Sequence, residues 1–196
     1  MSSINQNNLY PVFFRLDKVK MLIVGAGEVG EEKLRFILKS SPDAQVTIVA
    51  TWVGDDVQSI IDGREKETSV ILREVRESDI KAYDIIVAAT NFPDVNQQVY
   101  RWAKTHGKII NVADTPDLCD FYMGSIVTRG NLKVAISTNG KSPTFSKRFR
   151  QVLESILPPE TDDLLTHLEI LRDRMKGNFE EKVKQLNELT KSLIDG

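Results

Sequence analysis

Apolar and polar positions fall into blocks along this chain, and the period of the blocks changes partway. "VKMLIVGAGEVGEEKLRFILKSS" opens, after charged residues, with an unbroken apolar run from Met21 to Gly25. A run that is apolar at every position suits a strand buried on both faces, as in a parallel sheet. Beyond it, Val29, Leu34, Ile37 and Leu38 recur at helical spacing. Further strand-like runs follow: "AQVTIVAT", "SVILREV", "YDIIVAAT" and "GKIINVA". Between the last two, Val95, Val99 and Trp102 give "FPDVNQQVYRWAKTH" a helical face, with Pro93 near its start, where proline is tolerated. Strands alternating with helices predict an α/β domain with a parallel sheet covered on both faces.

After Asp114 the pattern changes. "MGSIVTRG" and "NLKVAIST" read as two strands around an Arg-Gly-Asn turn. "SPTFSKRFRQVLESIL" reads as a helix capped by Ser142, with Pro143 in its first turn. Pro158-Pro159 breaks the chain. Leu164, Leu168, Leu171 and Met175 then form one helical stripe, Gly177 a stop, and Phe179, Val183, Leu186 and Leu193 a last stripe.

The turn after the first strand carries chemistry. Gly25-Ala26-Gly27-Glu28-Val29-Gly30 fits G-x-G-x-x-G between a strand and a helix, the context that a dinucleotide-binding turn requires. The first glycine permits the turn, the second lets backbone approach a pyrophosphate, and the third lets helix and strand pack closely. The helix N-terminus offers free N–H groups to phosphates. The second strand runs out at Thr51 and Trp52, without the acid that usually holds the adenine ribose. Thr51 is placed to bond a ribose and Trp52 to pack on adenine. Asp55 and Asp56 would repel a 2′-phosphate, so NAD is expected rather than NADP. Ala89, Thr90 and Asn91 leave the fourth strand beside the expected crevice.

Composition narrows the class. At 196 residues, 41% hydrophobic and 28% charged, the chain suits one globular domain with an appendage. A net charge of −2 speaks against nucleic-acid binding by bulk electrostatics. The lone Cys119 and the distant His106 and His167 supply no metal cluster. No run is long and apolar enough for a membrane, and "MSSINQNNLYPVFF" does not read as a signal peptide, so a cytoplasmic protein is expected. Tyr100 and Lys104 match a Tyr-x-x-x-Lys pair, but precede the fifth strand instead of following it, and are read as exposed helix residues. Thr128 to Arg150 holds Arg129, Lys133, Lys141, Lys147, Arg148 and Arg150 and no acid. That stretch is either a solvated positive face or a grip for a poly-anionic ligand. Its loop "STNGKSPT" adds hydroxyls and a glycine just before a helix.

Together, "LYPVFFRLDKVKMLIVGAGEVGEEKL", "AATNFPDVNQQV", "INVADTPDLCDF" and "GSIVTRGNLKVAISTNGKSPTFSKRFRQVLE" resemble one family, the precorrin-2 dehydrogenases, including the N-terminal module of siroheme synthase. The resemblance implies a Rossmann-type NAD-binding domain (1–113), a strand-rich dimerisation and active-site segment (114–157) and a small helical C-terminal domain (158–196). It implies a homodimer that oxidises precorrin-2, a tetrapyrrole, to sirohydrochlorin with NAD⁺ in siroheme biosynthesis. Some members also insert Fe²⁺. The family's key aspartate falls on Asp114, at the carboxyl edge of the sheet, where a carboxylate ionised at pH 7 can serve as general base. Substrate contacts fall on Arg129 and on the loop Ser137, Thr138, Asn139, Gly140, Lys141 and Ser142. Thr138 stands where members can carry serine, and Asn91 where an acid is usual. A competing reading is a non-catalytic NAD-binding sensor, which would share the glycine turn but not need the basic block.

Overall fold

A computed structural model describes residues 7–64 and 67–191. Leu193, and the start of the stretch read for a signal peptide, lie outside the described residues. Each apolar run becomes a strand: β1 (Lys20–Val24), β2 (Gln45–Ala50), β3 (Thr68–Leu72), β4 (Ile85–Ala88) and β5 (Ile109–Val112). They pair in parallel in the order β3-β2-β1-β4-β5. Between them lie α1 (Glu28–Ser40), α2 (Asp55–Ile61), α3 (Glu77–Lys81) and α4 (Pro93–Thr105). This is the expected Rossmann-type sheet. The sequence pattern missed α2 and α3, whose 7 and 5 residues are too few for a helical period to register.

The unbroken apolar strands have a direct cause. Met21 and Ile23 enter one core with Leu34, Ile37 and Leu38 of α1 and Val57 and Ile61 of α2. Leu22 and Val24 enter the opposite core with Ile80 of α3 and Val99 and Ala103 of α4. Successive side chains point to opposite faces, and both faces are covered.

The chain order reverses between β1 and β4, and the glycine turn sits there. Gly25 has φ +106°. Its N–H donates to Val49 O at 2.9 Å, and the neighbouring Ala89 N–H donates to Val24 O at 2.8 Å. A Cβ at position 25 would lie 2.5 Å from Ala89 O, and one at position 30 would lie 2.2 Å from Gly25 O. A Cβ at position 27 would meet only the Trp52 ring, at 3.8 Å. Two glycines are therefore fixed by backbone contact, and the middle one faces open space.

Two ion pairs hold the segments that follow β3 and β5. Beyond β3, Arg73 forks onto Asp79 of α3 with two bonds of 2.7 Å, and Asp79 also accepts the Arg76 N–H at 2.8 Å. Beyond β5, Asp120 accepts Lys104 Nζ at 2.7 Å and the Ile110 N–H at 3.1 Å. Lys104 is thus a tether, and Tyr100 packs on the core, half-buried instead of exposed as expected.

Compactness divides the chain after Met123. One unit runs to that residue and takes in Asn139–Lys141; the other comprises Gly124–Thr138 and the chain from Ser142 on. The sequence pattern changes earlier, at Asp114, but Asn111 Nδ2 donates to Phe121 O at 2.9 Å, and Asp120 binds back to β5, so this segment stays with the sheet. The second unit contains the antiparallel pair β6 (Ser125–Arg129) and β7 (Leu132–Ile136), then α5 (Pro143–Ile156), α6 (Thr161–Arg174) and α7 (Phe179–Leu189). Ser142 caps α5 as expected, its Oγ accepting the Phe145 N–H at 3.1 Å. Met175 caps α6 instead of extending its stripe, and Gly177 follows at φ +114°.

Gly30→Ala should cost at least about 2 kcal/mol, because the added methyl meets fixed backbone. Gly27→Ala should cost at most about 1 kcal/mol, the loss of a favourable N-cap residue. Urea unfolding of both variants checks the contrast. Asp79 gives a pH signature. The Arg73 hydrogen bonds hold its carboxyl below the ordinary value of 3.8, outweighing the opposing effect of burial. Its folded-state pKa is depressed, so its stabilisation is present above about 3.8 and is lost as pH falls through the lower folded value. Asp79→Asn should cost about 1–3 kcal/mol at pH 7, and that cost should shrink only below about pH 4 in urea midpoints measured against pH.

Candidate functional site

A cavity of about 520 Å³ opens at the carboxyl edge of the parallel sheet, at the reversal of strand order. That is where such folds bind ligands, and the volume suits a small-molecule site. Among the residues expected to hold a cofactor, Gly25 and Gly27 line it from β1, Thr51 and Trp52 from β2, and Ala89, Thr90 and Asn91 from β4. Glu28, Val29 and Gly30 do not line it. Glu28 is exposed in the first turn of α1, Val29 packs on the core, and Gly30 is buried against Gly25.

The local chemistry fits a dinucleotide. Gly27 is the N-cap of α1 and no side chain caps that end, so first-turn N–H groups are left for a phosphate. Trp52 is exposed, and its ring lies against the position of Gly27 and that of Gly54. Thr90 is locked rather than free. Its hydroxyl lies 2.7 Å from Asn96 Oδ1, which also accepts the Thr90 N–H at 3.2 Å, while Asn96 Nδ2 donates to Thr90 O at 2.9 Å. Buried Asn96 thereby shapes the loop that carries Ala89, Thr90 and Asn91.

Asp55 and Asp56 do not line the cavity. They occupy the first turn of α2, where negative charge suits the helix dipole. The expected repulsion of a 2′-phosphate therefore cannot come from direct contact with them. Sequence reasoning also missed Arg73, Glu74 and Val75, which follow β3 into the cavity, and Asp94 and Gln98 on α4. Their signal was positional: residues just past the end of a parallel strand face this crevice.

Asp114 lies two residues beyond β5, past the point where the Ala113 N–H donates to Ala88 O at 2.9 Å. It shares the sheet's carboxyl edge with the cavity but does not line it. It is exposed and left-handed, at φ +57°, a conformation that aspartate tolerates better than most residues. The turn bonds through other groups: the Thr115 N–H donates to Val112 O at 3.2 Å, and the Thr115 hydroxyl to Ala113 O at 3.3 Å. Among the described residues the Asp114 carboxylate has no hydrogen-bond or ion-pair partner. It is not acting as a side-chain cap. Cys119 nearby is structural: burial pushes its thiol up, and Sγ accepts the Val112 N–H at 3.3 Å.

Beyond Met123 in the chain, the substrate-contact residues divide. The Arg129 guanidinium donates to backbone carbonyls at the end of α5, Glu154 O at 2.6 Å and Leu157 O at 3.3 Å. Cation and helix C-terminus attract each other, so Arg129 braces the fold instead of standing free for a ligand. Thr138 Oγ1 accepts the Ser142 N–H at 3.1 Å, and Ser142 caps α5. Asn139 and Gly140 turn the loop at φ +53° and +75°, and Ser137, Gly140 and Lys141 are exposed. Lys147 and Arg148 are exposed on α5, whereas Arg150 pairs with Glu154 one turn on. Among the described residues, no group of three His, Cys, Asp or Glu side chains could hold a metal ion, and no helix is long and apolar enough to cross a membrane.

Comparison with known proteins agrees with this geometry. The family described as "Putative NAD(P)-binding" matches residues 12–125, and the family described as "Sirohaem biosynthesis protein central" matches residues 129–156. A siroheme synthase of Pseudoalteromonas atlantica is 33% identical over 90% of this chain and 37% of its own length. Siroheme synthase 3 of Aeromonas hydrophila is 34% identical over 86% of this chain and 35% of its own. The chain thus spans about a third of the length of these curated relatives. Among solved structures, the precorrin-2 dehydrogenase SirC superposes with a TM-score of 0.71 at 25% identity, covering 92% of this chain and 89% of that one. With one family match over residues 12–125 and the other following it in the chain at 129–156, the chain belongs to the NAD(P)-binding family found in sirohaem-biosynthesis proteins, the family its sequence resembles.

Proposed function

We propose that this chain oxidises precorrin-2 to sirohydrochlorin with NAD⁺; its structural neighbour SirC is named a precorrin-2 dehydrogenase. One observation carries the reading. A cavity of about 520 Å³ with an open glycine turn shares a sheet edge with a carboxylate that is unpartnered among the described residues. In this reading Gly25 and Gly27 approach the pyrophosphate, Thr51 the adenine ribose and Trp52 the adenine. Ala89, Thr90 and Asn91 border the nicotinamide end. When bound, NAD⁺ supplies the two-electron acceptor that takes a hydride from the tetrapyrrole.

The chain's own residues then have two tasks. Asp114 takes the proton that leaves with the hydride, a general-base contribution typically worth about 10²–10⁴-fold. A left-handed aspartate whose oxygens cap nothing is available for that transfer. Holding the ring against the cofactor contributes as much or more. The loop Ser137–Ser142, Lys141 above all, is assigned to the substrate's carboxylates, as is the basic face of α5; Arg129 serves as a brace behind them. The functional division is 1–113 for cofactor, 114–157 for catalysis and dimer formation, and 158–196 for the helical end. The homodimer has a candidate face in Phe145, Phe149, Val152 and Ile156 of α5, exposed at helical spacing. We place the protein in the cytoplasm, in keeping with a pathway whose substrate is a small soluble acid.

The test is turnover. Pure protein with NAD⁺ and precorrin-2 should produce NADH absorbance, whereas a sensor would bind NAD⁺ and produce none. Asp114→Asn should keep NAD⁺ affinity and lose about 10²-fold or more in kcat. Full activity in that variant would remove Asp114 from the mechanism. Gly27→Ala should instead weaken NAD⁺ binding by about tenfold or more, because its methyl occupies the approach to the pyrophosphate. Phe149→Asp should shift sedimentation from dimer to monomer.

A further inference from the structure

The adenosine end of the crevice presents an unsolved selectivity problem. NAD-specific members of this fold class commonly end β2 in an acid, which bonds the ribose hydroxyls and repels a 2′-phosphate. Here β2 gives way to Thr51 and Trp52, so that filter is missing. Among the described residues lining the cavity, Arg73 is the only cation, and an arginine in this region is what a 2′-phosphate would seek. It leaves β3 alongside the end of β2, its N–H donating to Ala50 O at 2.9 Å. On position alone, the crevice should favour NADP.

The guanidinium is already occupied. Nη1 donates to Asp79 Oδ2 and Nη2 to Asp79 Oδ1, both at 2.7 Å, and Nη1 also donates to Glu74 O at 2.9 Å. The Asp79 side chain is only 9% exposed and is held by the Arg76 N–H at the start of α3. A bidentate, largely buried carboxylate neutralises the fork and fixes its plane. A phosphate arriving from the crevice would have to displace it.

We propose that Asp79 is a positioning residue for cofactor choice: by clasping Arg73 it withholds the cation that a 2′-phosphate needs, and so sets the preference for NAD⁺. This rests on the proposed reading that a dinucleotide occupies the crevice. Glu74, exposed beside Arg73 at the rim, is the competing source of that preference and enters the test.

The experiment is calorimetric titration of the whole chain with NAD⁺ and with NADP⁺. Wild type should bind NAD⁺ more tightly. Asp79→Asn should tighten NADP⁺ by about tenfold and leave NAD⁺ within about twofold, since one charge-assisted contact is gained. Adding Arg73→Gln to that variant should return NADP⁺ to its wild-type affinity, which a merely structural role for Asp79 would not do. The proposal falls if Asp79→Asn shifts both dinucleotides alike. It falls equally if the gain survives loss of Arg73, or appears in Glu74→Gln but not in Asp79→Asn. Should Asp79→Asn fail to fold, Arg73→Gln alone decides: NADP⁺ binding unchanged supports the clasp, and a tenfold loss overturns it. Wild type that binds neither dinucleotide would instead sink the reading of the crevice, and this inference with it.

Discussion

The structure depends on backbone meeting backbone where the glycine turn crosses the exit of β4. Gly25 presses on Ala89, and Gly30 presses on Gly25, at distances that leave no room for a Cβ. Those contacts fix where α1 begins, and so where its uncapped N–H groups point. Every other feature of the crevice is referred to that point. Asn96 shapes the β4 loop through three hydrogen bonds to Thr90, and the ring of Trp52 lies against Gly27. Close packing is what makes Gly27 distinctive. It is the one glycine of the three whose missing side chain leaves space unfilled by the protein.

Two ion pairs hold segments that follow strands. Asp79 secures the segment after β3, and Asp120 secures the segment after β5. Each pairs with a cation and also accepts a backbone N–H, so removing either would leave donors without acceptors. Asp114, by contrast, holds no loop through its side chain. Its backbone conformation is uncommon and its carboxylate is unpartnered among the described residues. Asp94 and Asp117 are unpartnered as well among the described residues, so what sets Asp114 apart is its left-handed backbone just past the end of β5.

Much of the frame was legible in the sequence, for physical reasons. Strands buried on both faces must be apolar throughout, and long helices on a core must show a 3.6-residue period, so β1 to β5, α1 and α4 were visible. The 7 residues of α2 and the 5 of α3 were too few to show one. The glycine turn was legible because few residues survive such contacts. The partners of Arg129 were not legible, since composition marks a cation but not where its donors go; here the acceptors are carbonyls 25 and 28 residues later. The stripe of α6 failed at its last member for a similar reason, Met175 being turned into a cap.

Cofactor choice shows most clearly what pattern alone leaves out. The sequence places Asp55 and Asp56 near the end of β2 and Arg73 more than twenty residues away, which suggests repulsion by the nearer acids. Parallel pairing reverses that order of importance. Ala50 pairs with Leu72, so Arg73 emerges beside the end of β2, while the two acids turn off into α2. What then determines the field in the crevice is not the number of charges nearby but whether Arg73, the one cation among the described residues that line it, is free. That is decided by Asp79, a residue which does not line the cavity and whose importance lies wholly in the hydrogen bonds it makes.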